Sequence, residues 1–421
     1  MKNIIWFSNC AQSNSNNKAS GSWLYSMAKL LTESGNISLT NIVIDSTNSI
    51  NEIKCIDIKN NFKEYIIPNW KRDKKGLLSH DKRAKIEYLC RSLVPDIIHV
   101  WGVENYFCNI VPSLNIDVPK LLEIQGLHAP CADVYYGDMS ISDTIKCLGL
   151  REILFPFKKS IYAFKHNFVR AGRIDDEVIK KYKFISTQSR WVRDYISFIT
   201  DENLFQTGMS IRNEFWQTKK WERPTDEISF YCSASGPAPY KSLQTAIKAL
   251  SVVKKKYPKC KLYIIGNFNK LNWIHQYGYL TFFYNVIKKY NVERNIIFTG
   301  PANAAEIIDT MHKCIGMIQT SYVESYSLAL AEAQAVGIPS IISFAGAMPE
   351  LATDRESGLF YSPGDYRSCA SRMIELIEDN ELAKHISECS YKLAHQRNND
   401  DYVLKAQLEI YQQILNSECK E

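Results

Sequence analysis

The chain has 421 residues, of which 45% are hydrophobic and 23% are charged. This length exceeds that of one small domain, and the composition is that of an ordinary soluble globular protein, which excludes intrinsic disorder. The formal net charge of +6 is small for this length. It does not indicate a nucleic-acid-binding protein, and no nucleic acid partner is expected.

Short apolar runs rich in β-branched residues alternate with helical stretches through the first half of the chain. The sequence predicts a strand over "NIIWFS", a helix over "WLYSMAKLLTES", a strand over "DIIHVWG" followed by a helical segment, and a strand over "KLLEIQG" followed by a loop. This alternation is typical of parallel sheets covered by helices. The runs are continuously apolar, as in strands that are buried on both faces.

A polar, proline-containing stretch near residues 217–227, "QTKKWERPTDE", interrupts this pattern. The pattern then restarts with strands predicted over "ISFYCSAS", "KLYIIG", "NIIFTG", "CIGMIQT" and "PSIISF". We predict two α/β domains, residues 1–222 and 223–398. The final stretch has apolar residues at helical spacing and no strand after it. Residues 399–421 are therefore predicted to form a helix that crosses back to the first domain.

The cysteines and the N-terminus indicate the compartment. Twelve cysteines are scattered singly, without a Cys-x-x-Cys pair or a histidine at metal-ligand spacing, which predicts free thiols in a reducing cytoplasm. The opening "MKNIIWFSNC" is interpreted as a first strand rather than a signal peptide. No run approaches the roughly 20 apolar residues of a bilayer span. We expect a cytoplasmic protein.

The stretch "ESYSLALAEAQAVGIP" at residues 324–339 carries the strongest functional signal. Glu324 lies in a predicted loop after the strand "CIGMIQT", and Glu332 lies on a helix that Gly337 and Pro339 end. A helix N-terminus presents N–H donors and partial positive charge, and it therefore favours a phosphate. Carboxylates beside it suit the hydroxyls of a sugar.

This stretch and the following "FAGAMPELATDRESGLFYSPGD" resemble the donor-binding signature of retaining glycosyltransferases of family four, with their Glu-x7-Glu motif. Weaker similarity extends through "PDIIHVWGVENY", "LLEIQGLHAPCADVYY", "FISTQSRWVRDYI" and "SASGPAPYKSLQTAIKALSVVKKKYPKCKLYIIG". The resemblance implies a GT-B fold, in which two Rossmann-like, doubly wound α/β domains face a central cleft. The first domain would bind the acceptor and the second the nucleotide sugar.

The resemblance also implies roles for individual residues. Glu324 would bind hydroxyls of the donor sugar and Glu332 the ribose of the nucleotide; the alternative is a solvated loop carboxylate and a surface helix residue. The stretch between them would face the sugar and diphosphate through backbone amides and hydroxyls. Its residues are Ser325, Tyr326, Ser327 and Leu328.

Lys241 would be the cation of the site. In the family, a lysine at this place neutralises the diphosphate leaving group, while the competing interpretation is a solvated residue at a helix start. Related enzymes usually carry an arginine five residues earlier, where this chain has Gly236. Candidates for the missing cation are Arg190, Arg193 and Arg212, of which Arg212 is grouped with the donor-binding residues.

Further candidates come from the first half of the chain and from the end of the donor motif. Gly21 is predicted to let a phosphate or acceptor approach the backbone, with a plain turn as the alternative. Gln125 stands where many family members have a histidine near the reacting centre. His128, three residues on, is either catalytic or an ordinary loop histidine, and His99 is expected to be structural. Glu350 matches a glutamate at the end of the donor pocket, or it stabilises a helix dipole.

Several motifs are absent from the sequence. It has no Asp-x-Asp pair, no GxGxxG after a strand and no GxxxxGK[ST], so neither a metal site nor a dinucleotide or NTP cofactor is predicted. The expected enzyme is a metal-independent, retaining transferase of hexosyltransferase type. It would move a sugar from a nucleotide-sugar donor to a glycan or lipid-linked glycan in bacterial capsule or O-antigen biosynthesis. The alternatives are a non-catalytic nucleotide-sugar-binding protein and a GT-B-type epimerase.

A basic amphipathic segment precedes the middle of the chain. The stretch "IKCLGLREILFPFKKSIYAFKHNFVRAGR" mixes apolar residues with seven lysines and arginines. Such stretches bind anionic membrane surfaces, so residues 146–173 are a candidate for peripheral contact with the cytoplasmic face of the inner membrane. The alternative is a pair of helices, interrupted at Pro156, that packs on the first domain.

Overall fold

The computed structural model describes residues 1–13, 22–73, 76–270 and 277–418. The chain forms two compact units, each built on a largely parallel sheet with helices. The first unit comprises Met1–Leu127, Arg173–Ser210 and Asn398–Glu421, and the second His128–Gly172 and Ile211–Arg397. Both units are Rossmann-like α/β structures, which confirms the predicted fold class.

The first unit contains an eight-stranded sheet. Its strands are β1 (Lys2–Phe7), β2 (Ile37–Ile44), β3 (Lys54–Lys59), β4 (Phe62–Ile67), β5 (Ile97–Trp101), β6 (Lys120–Ile124), β7 (Phe184–Thr187) and β8 (Asn203–Gln206). Their order across the sheet is β3-β4-β2-β1-β5-β6-β7-β8, and neighbours are parallel except β3 and β4. The α-helices of this unit include α1 (Ser22–Glu33), α2 (His80–Ser92), α8 (Arg190–Ile196) and α17 (Asp400–Glu418).

The central strands form where the sequence is continuously apolar. All five residues of β5 are buried, as is typical of a central strand in a parallel sheet. The strands predicted over "NIIWFS", "DIIHVWG" and "KLLEIQG" are β1, β5 and β6. The α-helix predicted after β5 is wrong, since this stretch consists of turns and a 3₁₀ turn at Val111–Ser113. There the Asn105 amide donates to the carbonyls of Phe7 and Trp101.

The C-terminal helix α17 joins the first unit through a buried tyrosine. The Tyr411 hydroxyl accepts a hydrogen bond from Trp6 Nε1 at 3.1 Å and lies 2.9 Å from His99 Nδ1. Burial lowers the pKa of His99 well below its usual range, so the imidazole is neutral. His99 therefore has a structural role, holding the helix to the sheet.

A buried carboxyl lies on the same sheet. Glu123 on β6 accepts a hydrogen bond from the Ser186 hydroxyl, and its Oε1 has no hydrogen-bond partner in the described part of the chain. Burial raises the pKa of Glu123 to about 8, against a smaller lowering by the Ser186 hydrogen bond. The carboxyl is therefore protonated in the folded protein at neutral pH.

The second unit contains a six-stranded, wholly parallel sheet. Its strands are β9 (Ser229–Ser233), β10 (Lys261–Ile265), β11 (Ile296–Gly300), β12 (Gly316–Gln319), β13 (Ser340–Ser343) and β14 (Leu359–Tyr361). They are ordered β11-β10-β9-β12-β13-β14. The first five of them match the strands predicted from the sequence. The strand order reverses direction between β9 and β12, which is the switch point where open α/β sheets bind ligands.

The helices of the second unit fall into two groups along the chain, the first of which precedes the sheet in the sequence. The first group is α3 (His128–Asp133), α4 (Ile141–Lys146), α5 (Leu150–Leu154), α6 (Pro156–Lys159) and α7 (Ile161–Ile179), of which α7 continues into the first unit. The second is α9 (Asn213–Gln217), α10 (Leu243–Val253), α11 (Gly278–Lys289), α12 (Ala304–Lys313), α13 (Leu328–Val336), α14 (Met348–Leu351), α15 (Tyr366–Glu378) and α16 (Asn380–Arg397). Among the described helices, none combines the length and the apolar character needed to cross a bilayer.

Residues 128–172 belong to the second unit, whereas the sequence pattern assigned them to the first. They are held there by buried polar contacts. Asp138 accepts hydrogen bonds from the Ser242 hydroxyl at 2.9 Å, from Gln244 Nε2 at 2.5 Å and from Lys248 Nζ at 2.5 Å. These partners are more than 100 positions away in the sequence, which is why local patterns did not indicate them.

We predict that Glu123→Gln flattens the pH dependence of stability. Between about pH 4.5 and 8 the wild-type carboxyl is protonated in the folded state and ionised in the unfolded state. Unfolding then releases a proton, so the free energy of unfolding falls as pH rises, by about 1.4 kcal/mol per pH unit for each proton released. Glutamine cannot ionise and removes this slope.

Urea unfolding at several pH values across this interval measures the effect. Glu52→Gln, which changes an exposed glutamate of the same unit, serves as the control and should keep the wild-type slope. An identical slope in wild type and Glu123→Gln would contradict the assignment of a buried, protonated carboxyl.

Candidate active site

The candidate site lies at the carboxyl ends of β9 and β12, on either side of the switch point of the second sheet. After β9 the chain makes a 3₁₀ turn at Pro239–Lys241 and then enters α10. After β12 it passes through a loop containing Glu324 and enters α13. Because parallel strands end at the same edge, these two loops meet although they are far apart in sequence.

The two loops are joined by an ion pair. Lys241 Nζ lies 2.7 Å from Glu324 Oε1, and the two side chains are 28% and 13% exposed. Burial of the ammonium acts to lower the pKa of Lys241, but the charge and hydrogen bond of the Glu324 carboxylate outweigh it, so the pKa is raised. Lys241 is therefore a permanent cation near neutral pH, and neither residue is a freely solvated surface group.

The Glu324 carboxylate is fixed through one of its oxygens. Besides Lys241, Oε1 accepts hydrogen bonds from Gln319 Nε2 at 2.9 Å and from the Ser321 hydroxyl at 2.6 Å. Within the described residues, Oε2 accepts no hydrogen bond, and it is the oxygen that remains for a ligand hydroxyl. This arrangement orients the carboxylate before any ligand arrives.

The backbone around the pair is also cross-linked. The Thr320 hydroxyl donates to the Lys241 carbonyl at 2.6 Å, and the Tyr322 amide donates to the Tyr240 carbonyl at 2.8 Å. On the other side, Gly346 has a φ of +55°, and a Cβ there would lie 2.3 Å from the Glu324 carbonyl oxygen. Only glycine fits this position, which places the loop after β13 directly against Glu324.

Helix α13 presents its N-terminus beside Glu324. Ser327 precedes the helix in a left-handed conformation, with φ +76° and ψ +74°, and its hydroxyl does not cap the helix but accepts from Gln319 Nε2 at 3.3 Å. Leu328 is the first helical residue, and Gly337 ends the helix in a left-handed conformation, as predicted. The Tyr326 hydroxyl accepts from Arg397 Nε at 3.2 Å. An N-terminus that the Ser327 side chain does not cap can donate to an anion.

Glu332 lies in the second turn of α13 and is buried. Arg212 donates to both of its oxygens, from Nε at 2.7 Å and from the second terminal nitrogen at 2.8 Å. Burial raises the pKa of Glu332, and Arg212 opposes this rise. Arg212 is therefore bound to the second glutamate of the motif. Of the three candidates for the missing cation, it is the one in the second unit, since Arg190 and Arg193 lie on α8 of the first unit.

The remaining sequence candidates are dispersed. Gly21 lies outside the described residues. Gln125 follows β6 in the first unit. His128 begins α3 in the second unit, where its ring packs edge-on against the ring of Phe168, with 5.4 Å between the ring centres. Glu350 lies on the short helix α14, two residues after its start.

Sequence reasoning missed several residues that support the site. They are Gln319 and Ser321 on the Glu324 carboxylate, Gly346 behind its carbonyl, Asp138 behind Ser242, and Arg397 on Tyr326. A local sequence signal could have indicated Gly346, because it is a glycine in the short loop between β13 and α14. Gln319 and Ser321 lie only five and three positions before Glu324, whereas Asp138 and Arg397 contact partners that are far away in the sequence. In the described residues, no group of three histidine, cysteine or acidic side chains could hold a metal ion.

Comparison with protein families identifies the second half of the chain. Residues 215–393 match the sequence profile of the family "Glycosyl transferases group 1". This match covers 179 of the 421 residues. The matched region contains both glutamates, Lys241 and Gly346, while Arg212 lies just before it.

Curated relatives are distant in sequence. The N-acetyl-alpha-D-glucosaminyl L-malate synthase of Bacillus anthracis is 22% identical over 325 residues, which cover 77% of this chain and 76% of that protein. The poly(glycerol-phosphate) alpha-glucosyltransferase of Bacillus subtilis is 24% identical over 235 residues, covering 53% of this chain and 33% of that protein. The second alignment thus spans about a third of the relative's length.

Solved structures resemble the whole chain and not only residues 215–393. The sucrose-phosphate synthase of Thermosynechococcus elongatus matches with a TM-score of 0.70 at 11% identity, covering 99% of this chain and 100% of that chain. HepE of Anabaena, in complex with UDP and glucose, matches with a TM-score of 0.65 at 14% identity, covering 99% of each chain. The fold is therefore of GT-B type.

We predict that Arg212→Met lowers the free energy of unfolding by about 3 kcal/mol, because it leaves the buried Glu332 carboxylate without its cation. The double variant Arg212→Met/Glu332→Leu should recover most of this loss, since it removes both charges. Chemical denaturation of the single and double variants measures the coupling.

Arg355→Met is the matched control. Arg355 pairs with Glu375 but is 52% exposed, so its removal should cost much less than the removal of Arg212. Equal losses from Arg212→Met and Arg355→Met would contradict a buried, tightly coupled pair.

Proposed function

We propose that the protein is a retaining glycosyltransferase that moves a hexosyl group from a nucleotide-sugar donor to a glycan or lipid-linked glycan. The observation that carries this proposal is the Lys241–Glu324 ion pair at the switch point of a group 1 glycosyltransferase domain. The proposal is supported by the proximity of a cation, a carboxylate and a helix N-terminus at one edge of the sheet. These are the three groups that a sugar diphosphate requires.

Each part of the donor has a partner in this arrangement. Glu324 Oε2 accepts from hydroxyls of the transferred sugar, and Lys241 together with the first turn of α13 binds the diphosphate. Glu332 accepts from the ribose hydroxyls while Arg212 keeps its carboxylate ionised and oriented, since each carboxylate oxygen can accept more than one hydrogen bond. Ser325, Tyr326, Ser327 and Leu328 line the path between them.

In the proposed reaction the bond between the anomeric carbon and the diphosphate oxygen breaks, and a bond from the acceptor oxygen forms on the same face of the sugar. The acceptor hydroxyl proton passes to the departing phosphate oxygen. Lys241 stabilises the negative charge that develops on the leaving group, which is the kind of electrostatic contribution that is often worth several kcal/mol. Gln125 and His128 are the proposed catalytic residues toward the acceptor.

The setting we propose is bacterial surface-polysaccharide biosynthesis in the cytoplasm, with residues 146–173 in peripheral contact with the inner membrane. The name of the Bacillus subtilis relative describes glucosyl transfer involving poly(glycerol phosphate), which supports a polymeric acceptor. HepE was solved in complex with UDP-glucose, which makes UDP-sugars the first donors to test.

We also propose that transfer needs no metal ion. Lys241 and the positive end of α13 supply the charge that a divalent cation would otherwise provide. A panel of UDP-, GDP-, ADP- and CMP-sugars, tested by thermal shift with and without EDTA, measures both donor class and metal dependence. A donor at about 100 times its dissociation constant adds roughly 2.7 kcal/mol of stability, or a few degrees in melting temperature.

We expect one nucleotide class to give this shift, unchanged by EDTA and reduced in Glu332→Gln. A shift that appears only with a divalent cation would contradict metal independence. No shift with any nucleotide sugar would contradict the donor site itself.

With the donor known, we predict that Glu324→Gln and Lys241→Met each lower the turnover number by about 100-fold or more, because each removes a group that binds the reacting sugar or its leaving group. Release of free nucleoside diphosphate in the presence of acceptor measures turnover. Glu356→Gln, an exposed carboxylate of the same unit, is the control and should retain full activity.

Wild-type turnover in Glu324→Gln would refute the assignment. Donor binding without diphosphate release in the wild type would indicate a nucleotide-sugar-binding protein. Conversion of the donor without acceptor would indicate an epimerase.

A further inference from the structure

Helices α4, α5 and α6 expose an unusual concentration of large apolar side chains. Within the described residues, six such side chains fall in residues 141–159, which we name the α4–α6 lobe. They are Ile141, Ile145, Ile153, Leu154, Phe155 and Phe157. Phe157 is 92% exposed. Soluble proteins rarely leave such a group uncovered unless it binds something.

The lobe is held firmly on its inner side. Glu152 accepts hydrogen bonds from the Gly149 amide at 3.1 Å and from the Gly278 amide at 2.9 Å, and Cys147 is fully buried. A Cβ at Gly278 would lie 1.7 Å from the Cys147 carbonyl oxygen, so α11 contacts the lobe directly. The inner side of the lobe is therefore packed against α11, while its apolar side chains face solvent.

The charge around these side chains is positive. The lobe carries Lys146, Arg151, Lys158 and Lys159, and Lys159 Nζ lies 4.7 Å from the centre of the Phe155 ring. Its two carboxylates are occupied, since Asp143 pairs with Lys146 at 2.9 Å and Glu152 turns inward. Residues 141–173 hold seven basic and two acidic residues, a formal charge of +5 out of +6 for the whole chain.

We propose that the α4–α6 lobe inserts its phenylalanine and leucine side chains into the surface of an anionic bilayer while its lysines bind the lipid headgroups. Apolar side chains flanked by cations on one surface are the pattern of interfacial membrane binding. A second copy of the chain is a poorer occupant, because a symmetric contact would bring two positively charged lobes together.

The lobe differs from residues 146–173, the segment for which the sequence predicted membrane contact. Helix α7, which supplies residues 161–173 of that segment, exposes its apolar side chains less: Tyr162 and Val169 are 40% and 37% exposed, against 48% to 92% for the six side chains of the lobe. Ile161 is fully buried, and Lys165 Nζ lies 4.7 Å from the centre of the Tyr136 ring. The bilayer contact thus belongs to residues 141–159. It deepens the membrane contact proposed above, and its test is independent of the transferase reaction because vesicle binding requires neither donor nor acceptor.

Vesicle flotation with the full-length protein tests the proposal. The probes are phosphatidylcholine vesicles with and without about 30% phosphatidylglycerol. We expect binding to the anionic vesicles that weakens at high salt. Phe157→Ser and the double variant Lys158→Glu/Lys159→Glu should each lower the partition coefficient by about tenfold.

Matched controls exist elsewhere in the chain. Phe198 is 93% exposed, and Lys288 and Lys289 are an exposed lysine pair on α11. Phe198→Ser and Lys288→Glu/Lys289→Glu should bind vesicles as the wild type does. A melting temperature and a donor-induced thermal shift equal to those of the wild type would show that the lobe variants are folded and that the donor site is unaffected.

Three results would overturn the proposal. They are no wild-type binding to anionic vesicles, equal losses from the lobe variants and the controls, and a wild-type dimer in solution that Phe157→Ser dissociates without any change in vesicle binding. The last would assign the lobe to contact between copies. None of these results bears on donor binding, so they are distinguishable from failure of the proposed transferase function.

Discussion

The ion pair between Lys241 and Glu324 is the interaction on which the rest of the site depends. It joins the loops that leave the two strands flanking the switch point, and a parallel sheet brings these loops together only because its strand order reverses there. The contacts around the pair serve to hold it: Thr320 fixes the backbone of Lys241, and Gly346 allows the next loop to support Glu324. The fold thus supplies a carboxylate whose Oε1 accepts three hydrogen bonds from the protein, while its Oε2 accepts none from the described residues.

The Lys241–Glu324 and Arg212–Glu332 ion pairs differ in exposure and in hydrogen-bond geometry. Lysine is a point charge on a flexible stem, and Lys241 is 28% exposed, so it can exchange its carboxylate partner for a phosphate. Arginine binds a carboxylate through two parallel hydrogen bonds, and Arg212 is 14% exposed, so its contact with Glu332 is a fixed one. The first pair can rearrange when a ligand binds, whereas the second holds α13 in place.

Local sequence patterns were sufficient for eight of the strands (β1, β5, β6 and β9 to β13) and for the end of α13 at Gly337. The functional roles of Glu324, Glu332 and Lys241 came from the family resemblance and stay predictions. Apolar runs and glycine signals depend on neighbours in the chain, which is why they can be read directly. The pairing of Arg212 with Glu332 spans 120 positions and has no local signature. The attachment of residues 128–172 to the second unit likewise depends on residues far away in the sequence, through the hydrogen bonds of Asp138 and the packing of Tyr135, Cys147 and Ile161 in the core of that unit. The pattern around them is typical of either unit.

The contacts of Asp138, Glu152 and Arg212 show that the region of family similarity is smaller than a part of the chain that could fold alone. All three residues precede the region of family similarity, which begins at residue 215, yet they provide partners for Lys248, for the Gly278 amide and for Glu332 inside it. At the other end, Arg397 lies beyond residue 393 and donates to the Gln334 side chain and the Leu351 carbonyl. A fragment cut at the limits of the family would carry the recognisable motif but leave buried polar groups unsatisfied. The part of the chain needed to satisfy these buried groups is therefore larger than the part that sequence comparison recognises.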